Sequence, residues 1–360
     1  MRWIPAFRMC SIGERIHVPG AIGTMIGSQK IRFIFAIALL HVSLVLLLAG
    51  SAFAVPPVLE LPIRCTLGQD CFIQNYFDHD PGPKANDYTC GKLSYDGHHG
   101  TDFRLRDLAA MGKKVAVVAA APGIVIGIRD GEPDLNVKLR GKGSLKGKEA
   151  GNGVRLDHGD GWITQYSHLQ RGSIVVRKGQ RVKTGDVLGV VGLSGNTEFP
   201  HVDFSVGKDG NPVDPFSHEA TTCGTLSRAL WSPGAQTALH YQPTGLLISG
   251  FAAAPPREEM AEAGDYAVQS IPAETENLVF WVQLFGLHKD DRLTLELYGP
   301  DKAKISDSQM VLPGDKASWF AYSGKRRKAG LWPTGSYSAL LRLERAGKVI
   351  VEERKEIAVR

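Results

Sequence analysis

Between residues 115 and 204 glycine cuts the chain into short β-branched runs, and nothing between them has the length or period of a crossover helix. The runs are 115–118, 123–128, 154–156, 162–166, 172–176 and 187–191. Pro122-Gly123, His158-Gly159-Asp160-Gly161 and Lys178-Gly179 supply the turns. Parallel strands need a connection of about a dozen residues or more, so the pattern predicts an antiparallel β domain built of hairpins. Residues 134–153, with Lys138, Arg140, Lys142, Lys146 and Lys148, break the rhythm and read as a long basic loop, solvated or in contact with an anionic polymer.

Apolar alternation returns after Phe251-Ala252-Ala253-Ala254-Pro255-Pro256. Leu293-Thr294-Leu295-Glu296-Leu297 and 337–343 each carry one apolar and one mostly polar face, as in a sandwich with one wet side. The chain is therefore read as mostly β: a hairpin-built domain at 55–224, a linker at 225–245 and a small immunoglobulin-like β-sandwich at 246–360. The sandwich has no cluster of His, Cys or carboxylates. His288 stands alone beside Lys289, and 325–328 reads as a solvated basic loop.

The formal charge is +5, but Arg2, Arg8, Arg15, Lys30 and Arg32 against Glu14 put +4 of it in the first 54 residues. The remainder is nearly balanced and carries no electrostatic footprint for nucleic acid. Residues 33–48 are apolar except for His41 and Ser43, follow Lys30 and Arg32, and lead to Ala52-Phe53-Ala54. That is the build of a secretory leader cut after Ala54, with Met25 as an alternative start, and cleavage would leave no membrane span. The other reading is an uncleaved anchor, for which the run falls short of the about 18 clean apolar residues a spanning helix takes.

Cys10 falls in the leader. Cys65, Cys71, Cys90 and Cys223 remain, in a chain bound for the periplasm, the cell envelope or the outside. An even count in an oxidising compartment predicts two disulfides, with three pairings open. No C-x-x-C pair is present to favour a Cys-rich metal site.

Four segments hold residues suited to a metal site. His98 and Asp102 lie in Asp96-Gly97-His98-His99-Gly100-Thr101-Asp102-Phe103. His168 ends the run that starts at Trp162. In Pro200-His201-Val202-Asp203-Phe204-Ser205-Val206, period two places His201, Asp203 and Ser205 on one face and Val202, Phe204 and Val206 on the other. His158, in a hairpin turn, is given no role.

In this order, and with the glycine-spaced stretches 117–125, 151–169 and 176–192 between them, these segments resemble the lysostaphin-type zinc metalloendopeptidases. These bacterial peptidoglycan hydrolases, also called LytM-like, have a β domain of antiparallel hairpins. The likeness covers about residues 90–216, a third of the chain, and not the sandwich.

The resemblance implies Zn²⁺ held by His98, Asp102 and the residue at position 203, with His168 and His201 as the catalytic pair that handles the proton and steadies the oxyanion. This sequence departs at the third ligand, where the family usually has His and this chain has Asp203. An Asp oxygen is as many bonds from Cβ as a His Nδ1, so the exchange works sterically if the replaced contact was the Nδ1 one. One imidazole and two carboxylates leave Zn²⁺ formally neutral, which weakens its Lewis acidity and suits Mn²⁺ or another harder divalent ion as well. The implied substrate is peptidoglycan or a peptide. The alternative is a catalytically weak or inactive relative that binds peptidoglycan or regulates another cell-wall hydrolase. Neither the bond cut nor a protein partner of the sandwich can be read from these residues.

Overall fold

The computed structural model describes residues 55–139, 145–225 and 227–360; the leader reading and the middle of the basic loop lie outside them. Ten strands form the first module: β1 (Cys71–Asn75), β2 (Thr101–Leu105), β3 (Ala116–Val118), β4 (Gly123–Arg129), β5 (Asn152–Gly159), β6 (Trp162–Leu169), β7 (Arg181–Val182), β8 (Val187–Val190), β9 (His201–Lys208) and β10 (Asn211–Val213). They pair antiparallel in the order β1-β2-β9-β6-β5-β4-β7, with β10 folded back on β9 and with β3 and β8 as a separate pair. A short helix, α1 (Leu108–Gly112), follows β2 and is capped by Asp107, whose side chain accepts from the Ala110 amide.

One face of the large sheet is core. Phe103, Val125, Val154, Leu156, Tyr166, Val202, Phe204 and Val206 are all fully buried there, each contributing on the order of 1.5–3 kcal/mol by leaving water. The alternation seen in 201–206 is thus the alternation of the sheet. Residues 172–176, expected as a strand, are not one. Val175 makes a single bond to the Leu188 carbonyl and is well exposed, so the β-branched run has no ladder to join.

The second module contains β11 (Gly245–Ala252), β12 (Ser270–Ile271), β13 (Asn277–Leu287), β14 (Arg292–Tyr298), β15 (Lys304–Val311), β16 (Lys316–Arg326), β17 (Gly335–Arg345) and β18 (Lys348–Val359). A three-stranded sheet, β11-β13-β16, faces a five-stranded one, β12-β18-β17-β14-β15, and β12–β18 is the parallel pair. Leu278, Phe280, Val282 and Leu284 of β13 meet Leu295, Leu341 and Leu343 between the sheets.

The five-stranded sheet has a wet side, and the outer face of the three-stranded sheet is wet only along β16, where Tyr322 is exposed. The outer face of β13 carries Trp281 and Phe285 into the core of the first module, so β13 is buried on both faces. Residues 225–245, expected as a linker, are packed there too. Leu230, Trp231, Ala235 and Leu239 are buried, the last two in and just after α2 (Pro233–Ala238), which Ser232 caps. Residues 57–360 form one compact unit. A third helix, α3 (Glu258–Ala263), follows β11 and ends on Gly264 at φ +83. No helix among the described residues is long and apolar enough to cross a membrane. The cysteines pair as Cys65–Cys71 and Cys90–Cys223.

Candidate metal centre

The polar face of the large sheet is organised by register. Asn75 lies opposite Asp102, Asp102 opposite Asp203, and Asp203 opposite Ser167, which makes a row across β1, β2, β9 and β6. His98 enters from the turn before β2. Its amide closes a tight turn onto the Tyr95 carbonyl, and Gly97 takes the φ of +73 that this turn needs. Asp78 braces the turn, accepting from the Gly97 amide while its own amide donates to the His98 carbonyl.

His168 reaches the site by a backbone irregularity. Strict alternation would turn it toward the core, because Thr164 and Tyr166 point that way. Instead Asn152 pairs with Leu169 and Val154 with Tyr166, so Gly153 opposes both Ser167 and His168 in a bulge, and His168 takes a φ of +62. Such a conformation costs a non-glycine residue about 1–3 kcal/mol. Gly153 permits the close approach, since a Cβ there would meet the Tyr166 carbonyl oxygen at 2.5 Å.

The five candidates converge. One ligand atom each from His98, Asp102 and Asp203 lies within 4.8 Å of the others. His98 Nε2 and His201 Nε2 both stand 3.5 Å from Asp102 Oδ1, and the His168 and His201 rings are 4.6 Å apart. None of the five residues is more than 4% exposed. Their outward atoms are committed: Asn75 Nδ2 donates to Asp102 Oδ2 at 2.7 Å, and Ser205 Oγ to Asp203 Oδ1 at 3.1 Å. His168 Nδ1 donates to the Ser194 carbonyl at 2.7 Å, and His201 Nδ1 to the Phe199 carbonyl at 3.0 Å. Both imidazoles in their neutral form therefore present a bare Nε2.

The inward atoms are the unusual ones. His98 Nε2 and Asp102 Oδ1 are buried without a hydrogen-bond partner, a costly state that a cation between them would relieve. A His nitrogen and two carboxylates are a donor set that fits Zn²⁺ or a harder divalent ion. Burial pushes the Asp102 carboxyl up, but His98, His201, the Asn75 bond and His168 outweigh it and hold it below its ordinary value. Asp203 goes the other way, raised by burial and then by the charge of Asp102. His168 is lowered to about 3 by burial and then by His201. Two buried carboxylates side by side repel.

Several residues of the site carried no signal in the sequence. Asn75 and Asp78 lie before the recognisable motifs, and Tyr95, whose ring is 4.4 Å from that of His98, lies in an irregular loop. Gly100 was visible as a glycine but not as a requirement. A Cβ there would fall 1.9 Å from Asp203 Oδ1, so Asp203 occupies the space a side chain would take. His158, given no role, ties its hairpin to the Pro122 carbonyl and to Thr164 Oγ1. His79, not singled out, is paired with Asp214 at 2.7 Å, away from the row.

Residues 96–215 match the model of peptidase family M23. Among curated proteins, the cell division protein DipM of Caulobacter vibrioides is 39% identical over 71 residues, 18% of this chain and 11% of its own length. The peptidoglycan DD-endopeptidase ShyA of Vibrio cholerae is 32% identical over 117 residues, 32% of this chain and 22% of its own. The chain thus spans between about a tenth and a quarter of these relatives. Among solved structures, the catalytic domain of lysostaphin from Staphylococcus simulans aligns at 20% identity with a TM-score of 0.25, over 39% of this chain and 85% of that one. The segment that carries the site is a peptidase family M23 domain.

Proposed function

We propose that this protein is a zinc-dependent endopeptidase of the bacterial cell envelope that hydrolyses peptide bonds in peptidoglycan. On this reading residues 1–54 are a secretory leader, 55–224 the peptidase module, 225–245 its packed connection and 246–360 an accessory sandwich. The observation that carries it is the convergence of His98, Asp102 and Asp203 with two unpartnered ligand atoms, beside a pair of imidazoles whose Nε2 atoms are bare.

His98, Asp102 and Asp203 would hold the ion, with Asn75 and Ser205 fixing the two carboxylates from behind. Bound there, Zn²⁺ supplies Lewis acidity toward a scissile carbonyl and toward water. His168 takes a proton at Nε2 and passes it to the leaving amine. His201, oriented at Nδ1 by the Phe199 carbonyl and by Thr197 Oγ1 at 3.1 Å, holds the developing charge on the oxygen in its imidazolium form, which carries a proton on Nε2 as well. The name of ShyA, a peptidoglycan DD-endopeptidase, agrees with this substrate.

The test is digestion of purified peptidoglycan with and without a chelator, reading released fragments by mass spectrometry. Chelator-sensitive release of peptide fragments is expected, and no release in either arm refutes the reading. The replacement at position 203 supports a second reading, a regulator of another hydrolase. Sub-stoichiometric zinc by elemental analysis, with both zinc binding and cleavage created by Asp203→His, would select it.

A further inference from the structure

Arg104 stands two residues beyond Asp102 on β2, on the same face, and its register partner across the ladder is His201. It is 2% exposed. Nη1 donates to Gln74 Oε1 at 3.0 Å and Nη2 to Glu262 Oε1 at 3.3 Å, and the guanidinium lies over the Phe199 ring with Cζ 4.4 Å from its centroid. Phe199 in turn holds His201 twice: its carbonyl accepts from Nδ1, and its ring is 4.8 Å from the imidazole. Glu262 belongs to α3, outside the family match. Gln283, the polar residue on the outer face of β13, seats it: Nε2 donates to Glu262 at 3.1 Å and to Glu258 at 3.2 Å.

A desolvated guanidinium is an expensive way to fill space, and an apolar side chain of similar volume is often neutral or stabilising in its place. The charge here does something a methionine cannot. It locks a flat plate against Phe199 from two anchored nitrogens, one of them anchored by the second module. We propose that Arg104 is a positioning residue which, together with Glu262, fixes Phe199 and through it the imidazole of His201. The accessory module thereby sets the geometry of the proton-handling pair. Removing Glu262 frees the guanidinium to turn toward water, uncovers the Phe199 ring and loosens the carbonyl that aims His201. The inference rests on the reading that His201 acts on the substrate.

The test uses the full chain with Glu262→Ala and Arg104→Met. Expected is a fall in kcat for peptidoglycan cleavage of about 10- to 100-fold, the scale of a small misplacement of a reacting group. KM and zinc per chain should stay unchanged. The proton NMR signal of His201 Nδ1–H, protected by the Phe199 carbonyl, should broaden or disappear. Glu262→Gln keeps the acceptor and should restore both kcat and the signal. The proposal is overturned if kcat and the His201 signal are unchanged in Glu262→Ala, if zinc falls in parallel with kcat, or if Gln is as damaging as Ala. Should Glu262→Ala not fold, Gln283→Ala leaves Glu262 in place, removes the donor that seats it along with the bonds to Glu258 and Ser318, and is read by the same criteria. A wild type that cleaves nothing refutes the peptidase reading, while the His201 signal, measured on the resting protein, still decides the positioning claim.

Discussion

Strands β9 and β13 are both interior strands buried along most of their length, yet they bury different things. β9 sets Val202, Phe204 and Val206 into a core and turns His201, Asp203 and Ser205 onto a face where the first two are buried as well and Ser205 is half-buried. β13 is apolar on both faces, with Phe280, Val282 and Leu284 between the sandwich sheets and Trp281 and Phe285 against the first module. Burial alone therefore does not mark the site. What marks it is dry polar atoms on the β2–β9 side whose hydrogen bonds lead outward and whose inner atoms face one another unpaired. In the sandwich the buried acid has a full partner: Asp291 receives Arg345 Nε and Nη2, both at 2.8 Å. In one module buried ionisable atoms face one another, and in the other the buried carboxylate is paired with a guanidinium.

The contrast breaks most sharply at His168. His168→Ala should lower kcat by about 10²- to 10⁴-fold, the usual worth of a positioned acid–base group, with zinc per chain unchanged by elemental analysis. Loss of zinc would move His168 among the ligands. Leu341→Ala, in the sandwich core, should cost about 3–4 kcal/mol in urea unfolding, without altering zinc in the folded fraction.

Asp291→Asn should cost about 2–3 kcal/mol by stripping Arg345 of its counter-charge. Burial raises the Asp291 carboxyl, but the Arg345 bonds prevail and hold it below the ordinary value. Its contribution is thus whole above the ordinary carboxylate pKa of about 3.9 and fades as pH falls toward the folded value. The gap between wild type and Asn in urea midpoint should narrow below about pH 4. The gentlest probe is Gly100→Ala. It puts a methyl where Asp203 sits and should weaken zinc binding by about 10- to 100-fold, with an overpacking cost of about 1–3 kcal/mol in urea unfolding in the presence of chelator.

How much of this was legible follows from where each residue sits in the chain. His98, Asp102, His168, His201 and Asp203 announce themselves through order, spacing and the two-residue period of one strand. The hairpin architecture is equally open, because glycine and β-branched runs act locally. Asn75, Arg104, Glu262 and Gln283 are hidden: they meet only through strand order and through the packing of β13 against the first module, which no local pattern encodes. The packing of Leu230 and Trp231 is hidden for the same reason, since they find their partner Leu59 far away in the chain. Residues 172–176 failed in the opposite sense, with strand-like composition and no neighbouring strand to pair with.

Cys90 and Cys223 are joined across 133 positions, and His98, Asp102, His168, His201 and Asp203 all lie on the stretch they enclose. In chain-entropy terms, closing a ring of that length removes roughly 4–5 kcal/mol of freedom from the unfolded polypeptide. A polypeptide whose thiols stayed reduced would have to gather five scattered groups from an open strand. Oxidation thus favours assembly of the candidate centre by narrowing the ensemble it must be gathered from.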